Sequence, residues 1–105
     1  MTCVRRSIYA GGTGRVCISS APGTVGVQFY LEGNLIWYNW RIDLQRYENG
    51  RWTTIDTRYG YVSPDSPSHR SFTNIAHKNA RTRAKIGIMN PDTIVQTIYS
   101  AEIIH

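Results

Sequence analysis

At 105 residues and 12.0 kDa the chain holds one domain with a single two-layer core, and that size disfavours an enclosed, multi-residue active site. Apolar residues at 41% and aromatics at 11% exclude a disordered segment. The net charge of +5 comes from ten arginines and two lysines against seven acids. These cations are spread through strand-like runs rather than gathered in a tail, which describes a soluble basic surface open to anionic partners.

No window approaches the roughly 20 apolar residues needed to span a bilayer. No charged and apolar leader precedes the first strand-like run, so the expectation is either a cytosolic chain or a mature terminus preceded by an added Met. The cysteines choose between these. Cys3 and Cys17 lie in the runs TCVRRSIYA (Thr2–Ala10) and RVCISS (Arg15–Ser20), on either side of the turn Gly11-Gly12-Thr13-Gly14. Folding the segment back about residue 10 sets Cys3 opposite Cys17, the geometry of a cross-strand disulfide. Such a bridge closes a loop of about 15 residues and contributes on the order of 3 kcal/mol. It favours an oxidising compartment, hence a secreted, extracellular chain. Two cysteines without a close Cys or His partner make no zinc signature, so neither metal nor cofactor is expected.

Ala21-Pro22-Gly23 breaks the chain, and Thr24–Leu31 follows with Val25, Val27, Phe29 and Leu31 alternating against Thr24, Gly26, Gln28 and Tyr30. Gly33-Asn34 turns into the stretch Ile36–Thr57, which reads as one hairpin about Asn49-Gly50, the strongest two-residue type I′ turn signal. An uninterrupted ladder pairs Glu48 with Arg51, Tyr47 with Trp52, Gln45 with Thr54, Leu44 with Ile55, Asp43 with Asp56 and Ile42 with Thr57. Alternation then gives a core face of Tyr38, Trp40, Ile42, Leu44 and Ile55. The wet face carries Asn39, Arg41, Asp43, Gln45 and Tyr47. Residues 60–79, with Pro64 and Pro67, read as a loop or edge with one short strand at Ser71–Ile75. The last hairpin is Arg81–Met89 and Thr93–Ile104 about Asn90-Pro91-Asp92. In its first arm Thr82, Ala84, Ile86 and Ile88 face the core, and its second arm, apolar on both faces in places, reads as a central or covered strand.

About seven or eight short antiparallel strands in this length imply an all-β fold, an antiparallel β-sandwich formed by residues 1–105 as a single domain, with a small β-barrel as the alternative. The runs YNWRIDLQRYENGRWTTIDT, NARTRAKIGIMN and YSAEII resemble the middle and end of a fibronectin type III or immunoglobulin-like module, over the last two-thirds of the chain. The resemblance implies that Trp40 sits as the core tryptophan of the third strand. The cysteines depart from it, since both lie near the N-terminus whereas antibody-type domains bridge widely separated ones. A sandwich of this kind selects no function by itself.

Function is therefore sought on the wet face. Trp37, Tyr47 and Trp52 are flat aromatics suited to stacking on sugar rings or packing into a protein partner. Interleaved Arg41, Arg51 and Arg58 would add charged hydrogen bonds to carboxylate or phosphate. Asp43 opposite Asp56 is an unfavourable like-charge pair that a hard cation or acid–base chemistry would explain, but Arg41 and Arg58 on the same face explain it more simply as a charge lattice. Arg81, Arg83 and Lys85 form a basic stripe with no aromatic between them, so a nucleic-acid partner is disfavoured. Gly11-Gly12-Thr13-Gly14 lacks the Lys-Ser/Thr and helix of a phosphate loop, and no catalytic motif is present. The expectation is a secreted, non-enzymatic binding module that recognises a cell-surface glycan or an extracellular protein through an exposed strand face of Arg and aromatic side chains. The alternative is a small cationic secreted effector, either an antibacterial or cytotoxic protein or an inhibitor of an extracellular enzyme.

Overall fold

The computed structural model describes residues 1–9, 11–33 and 37–105. Nine strands are described: β1 (Thr2–Ser7), β2 (Thr13–Ala21), β3 (Thr24–Glu32), β4 (Tyr38–Glu48), β5 (Arg51–Val62), β6 (Ser68–Thr73), β7 (Arg81–Met89), β8 (Ile94–Tyr99) and β9 (Ile103–Ile104). They form two antiparallel sheets, one ordered β1-β2-β3-β6 and the other β5-β4-β7-β8, with β9 also paired to β7. The molecule is the expected all-β sandwich. No helix among the described residues is long and apolar enough to cross a membrane.

Period-2 alternation builds the core. Val16 and Ile18 on β2, Val25, Val27 and Phe29 on β3 and Phe72 on β6 face Trp40, Ile42 and Leu44 on β4 and Ala84, Ile86 and Ile88 on β7, nearly all fully buried. Burying a side chain of this size stabilises by about 1.5–3 kcal/mol relative to leaving it in water. Cys3 pairs with Cys17 across β1 and β2 and the two form a disulfide. It ties down an edge strand whose side chains are otherwise largely exposed. The midpoint of that first hairpin, residue 10, lies outside the described residues, as do Asn34 and Ile36 at the entry to β4.

The β4–β5 hairpin turns at Asn49 (φ 53°) and Gly50 (φ 79°), where left-handed backbone is what a type I′ turn requires. The ladder follows the expected register from Glu48–Arg51 to Gln45–Thr54 and then slips, so that Leu44 faces Asp56, Asp43 faces Thr57 and Ile42 faces Arg58. Ile55 is the extra residue of a β-bulge, on an edge strand where bulges concentrate. This corrects the continuous ladder. Asp43 and Asp56 now lie on opposite faces, because one inserted residue reverses the side of everything beyond it. Each carboxylate takes a separate partner: Asp43 accepts from Thr57 Oγ1 at 2.8 Å and Arg41 Nε at 3.0 Å, and Asp56 pairs with Arg58 at 2.8 Å. The unfavourable pair is thereby removed.

Two further expectations are corrected. The short strand of the 60–79 stretch is Ser68–Thr73 rather than Ser71–Ile75, and β5 runs on through Gly60 to Val62. The final arm divides into β8 and β9, and β8 is an edge strand with Ile94 and Val95 about half exposed, not a covered one. It reads as apolar on both faces because Ile94 lies over Gly87 of β7, whose missing Cβ leaves room for it on the outer side of the sheet.

Candidate binding face

The outer face of the β5-β4-β7-β8 sheet is set by the bulge. Residues directly opposite share a face, so Tyr47 and Trp52, Gln45 and Thr54, Asp43 and Thr57, Arg41 and Tyr59, and Asn39 and Tyr61 all point outward. Arg83, Lys85 and Met89 of β7 lie beside Gln45, Asp43 and Asn39 on the same surface.

At the hairpin tip this face is filled by its own side chains. The Tyr47 and Trp52 rings meet edge to face, 5.4 Å between centroids at 64°. Arg81 stacks over Tyr47 at 4.6 Å, and Arg83 over Trp52 at 4.1 Å and Tyr99 at 4.2 Å. The guanidinium groups are themselves engaged, Arg81 Nε donating to Glu102 at 2.6 Å and Arg83 Nε to Gln45 Oε1 at 2.9 Å. The hydrogen bond from Arg81 holds the Glu102 carboxyl below the usual range, outweighing its desolvation. The basic stripe does have aromatics between its members, supplied by neighbouring strands where a linear reading does not reach them.

In the middle of the face, Arg41 is committed to Asp43, and the hydrogen bond to that buried carboxylate raises the guanidinium above its ordinary value. Arg58 is not on this face at all. Beyond the bulge it turns to the inner side, over the Phe72 ring at 5.3 Å and against Asp56, so its place among the wet-face arginines is corrected by the same slip. Arg51 is exposed beside the turn.

The opposite end of the face is open. Trp37, Tyr59 and Tyr61 are exposed at 61%, 61% and 62%, and among the described residues no ring or guanidinium stacks on them. Tyr59 and Tyr61 stand two residues apart on one strand, about 7 Å along it. Three adjoining shallow depressions, of about 380, 360 and 250 Å³, lie between these rings and Asn39, Met89 and Pro91. The face thus joins Trp37 to Tyr59 and Tyr61, and separates all three from Tyr47 and Trp52 by the length of the strand. Sequence reasoning misses the two tyrosines because an unbroken ladder turns them to the inner side and because Gly60 reads as the start of a loop. Alternation through TRYGYV sets Thr57, Tyr59 and Tyr61 on one side and Val62 on the other, and only the bulge at Ile55 turns that side outward.

Gly60 is a strand residue with a packing reason. A Cβ there would lie 2.5 Å from the Trp40 ring and 2.7 Å from Arg70 Nη2, both of which pass over the bare backbone. Trp40 Nε1 donates to Ser68 Oγ at 2.8 Å, and the Ser68 hydroxyl donates in turn to the Tyr61 carbonyl, tying the open end of β5 to β6. Among the described residues no group of three or more His, Cys, Asp or Glu stands where it could hold a metal ion. Comparison of the chain with protein-family models, with curated proteins and with solved structures finds no match.

Proposed function

We propose that this domain is a secreted, non-enzymatic binding module that recognises a cell-surface glycan or an extracellular protein through the open end of the β4–β5 face. One observation carries the reading: Trp37, Tyr59 and Tyr61 present three broadly exposed rings around contiguous depressions, on a sheet whose other outward aromatics, Tyr47, Trp52 and Tyr99, already carry stacked arginines. Large flat side chains with few rotatable bonds offer contact area at low entropic cost, and β5 fixes the spacing of Tyr59 and Tyr61. Asn39 and Asp92, which line the depression beside Tyr59, supply a donor and acceptors for hydroxyl groups or a peptide backbone. The disulfide supports an oxidising compartment and hence secretion.

Two double variants test the reading on glycan and extracellular-protein arrays. Trp37→Ala with Tyr61→Ala is expected to abolish retention while leaving the melting temperature nearly unchanged, because both rings stand in water. Tyr47→Ala with Trp52→Ala is expected to keep retention and lose stability, about 0.5–1.5 kcal/mol from the ring pair beyond the area it buries. Retention that survives the first pair, or disappears only with the second, refutes the assignment.

A further inference from the structure

Tyr61 is a wall shared by two surfaces. On its outer side are the depressions flanked by Trp37 and Tyr59. On its other side is a polar one of about 270 Å³, lined by Ser66, Ser68, His69 and Arg70. Resting on the face proposed above, we propose that its ligand is an acidic glycan, whose sugar ring stacks on Tyr61 while its carboxylate or sulfate is held by Arg70.

The argument starts from how Arg70 is placed. It lies on β6 opposite Val27, on the core-facing side of an edge strand, and reaches across the margin of the sandwich toward β5. Its guanidinium lies 5.1 Å from the Trp40 ring centroid and against the Cα of Gly60, and Nη1 donates to the His69 carbonyl at 2.9 Å. A long side chain is thus held in one orientation before any ligand arrives, so binding does not have to order it.

Its charge has no internal counterpart. Arg5 and Arg15 share Glu32, Arg41 has Asp43, Arg46 has Glu48, Arg58 has Asp56 and Arg81 has Glu102. Among the described residues Arg70 pairs with no carboxylate, and the exposed Asp65 in the turn before β6 makes no ion pair with it. Arg6, Arg51 and Arg83 also lack an acid, but Arg6 is exposed and donates to the Tyr99 carbonyl, Arg51 is exposed beside the hairpin turn, and the Arg83 guanidinium is enclosed between two rings and Gln45. Arg70 is half-buried and lines the depression together with Ser66, Ser68 and His69, while the His69 ring itself turns to the outer side of its sheet beside Gly26. A planar fork of N–H donors fits the paired oxygens of a carboxylate or sulfate, and the adjacent phenol ring supplies a stacking surface for the sugar bearing them. A neutral sugar would leave that ordered cation uncompensated.

The test is calorimetric titration with matched ligands. An oligogalacturonate and its methyl ester form the carboxylate arm, and chondroitin sulfate with desulfated chondroitin the sulfate arm. The charged member of at least one arm is expected to bind more tightly by on the order of tenfold or more. Arg70→Gln is expected to erase that preference and Arg70→Lys to retain part of it. Lys78→Gln removes the same charge from the loop beyond β6, at the other end of the molecule, and is expected to change little. Near-UV circular dichroism verifies that the Arg70 variants are folded; should Arg70→Gln fail to fold, Arg70→Lys and the ligand pairs decide alone. Equal binding of charged and uncharged members, or a preference that survives Arg70→Gln, overturns the acidic ligand. If neutral sugars still depend on Trp37 and Tyr61, the binding face stands without it. If no sugar binds in either arm, the acidic-glycan proposal falls, and the protein array decides the face by itself.

Discussion

Deleting Ile55 tests the feature on which the whole face depends. In the bulged ladder Ile55 has no partner of its own, so its removal leaves Leu44 opposite Asp56, Ile42 opposite Arg58 and Tyr38 opposite Val62, every outward side chain staying outward. The loss is one half-buried isoleucine at the margin of the core. Full burial of that side chain is worth about 1.5–3 kcal/mol, so the expected cost is about 1–2 kcal/mol. For a domain of this length that corresponds to a fall in melting temperature of roughly 5–15 °C, with cooperative unfolding retained. A continuous ladder predicts something different. There the deletion would carry Tyr59 and Tyr61 from the inner to the outer face and turn Asp56 and Arg58 inward, at several kcal/mol for each desolvated charge. Against a total stability of about 5–15 kcal/mol the domain would not fold. Thermal unfolding followed by circular dichroism and by tryptophan fluorescence separates the two. Loss of the cooperative transition would refute the bulged register and, with it, the placement of Tyr59 and Tyr61.

Replacing Cys3 and Cys17 together by alanine should cost about 3 kcal/mol by the loop-closure argument, since the bridge spans a sequence separation of 14. Urea unfolding under non-reducing conditions measures it, and a change under about 1 kcal/mol would mean that the β1–β2 ladder holds the edge strand unaided. Glu102→Gln should matter above the ordinary glutamate range and cease to matter in acid. The folded-state carboxyl is depressed by Arg81, so its contribution is present above the unfolded value and is lost as pH falls through the folded one. Stability of wild type and variant across an acid series checks this. The difference should shrink with added salt, because the pair is exposed, and a gap that widened on acidification would contradict the assignment.

Most of the sandwich could be read from the letters because its signals are local. Asn49-Gly50 sets the hairpin register through Gln45–Thr54, Cys3 and Cys17 fall opposite each other by counting, and Thr82, Ala84, Ile86 and Ile88 alternate without a break into the core. The slip at Ile55 is not local. It follows from what Asp43 and Asp56 find on either side of them, and the only trace in the sequence is the like-charge pair that an unbroken ladder would create. Gly60 misled for a related reason. A glycine before two prolines resembles the end of a strand, whereas its cause is a tryptophan on β4 and an arginine on β6 that cross the same bare backbone. Of the six side chains singled out for binding, Trp37 lies at the open end, Arg41 is committed to Asp43, Tyr47 and Trp52 lie under arginines, Arg58 faces inward and Arg51 is exposed beside the turn.

Where the arginines find partners decides which end of the face can take a ligand. At the hairpin tip a ligand would have to displace Arg81 from Tyr47 and Glu102, and Arg83 from Trp52, Tyr99 and Gln45, before touching a ring. Each displacement breaks a contact already made and uncovers the ring face that the guanidinium had lain over, so the gross gain of stacking is largely returned. At Trp37, Tyr59 and Tyr61 no ring or guanidinium of the described residues has to be displaced. Tyr59 and Tyr61 are held by β5, the nearby guanidinium of Arg70 is held by Trp40 and the His69 carbonyl, and stacking and charge pairing are both new in the complex. Two aromatic clusters of similar composition on one sheet therefore do opposite work, the one with arginines over it closing the surface and the one with an arginine beside it leaving the surface open.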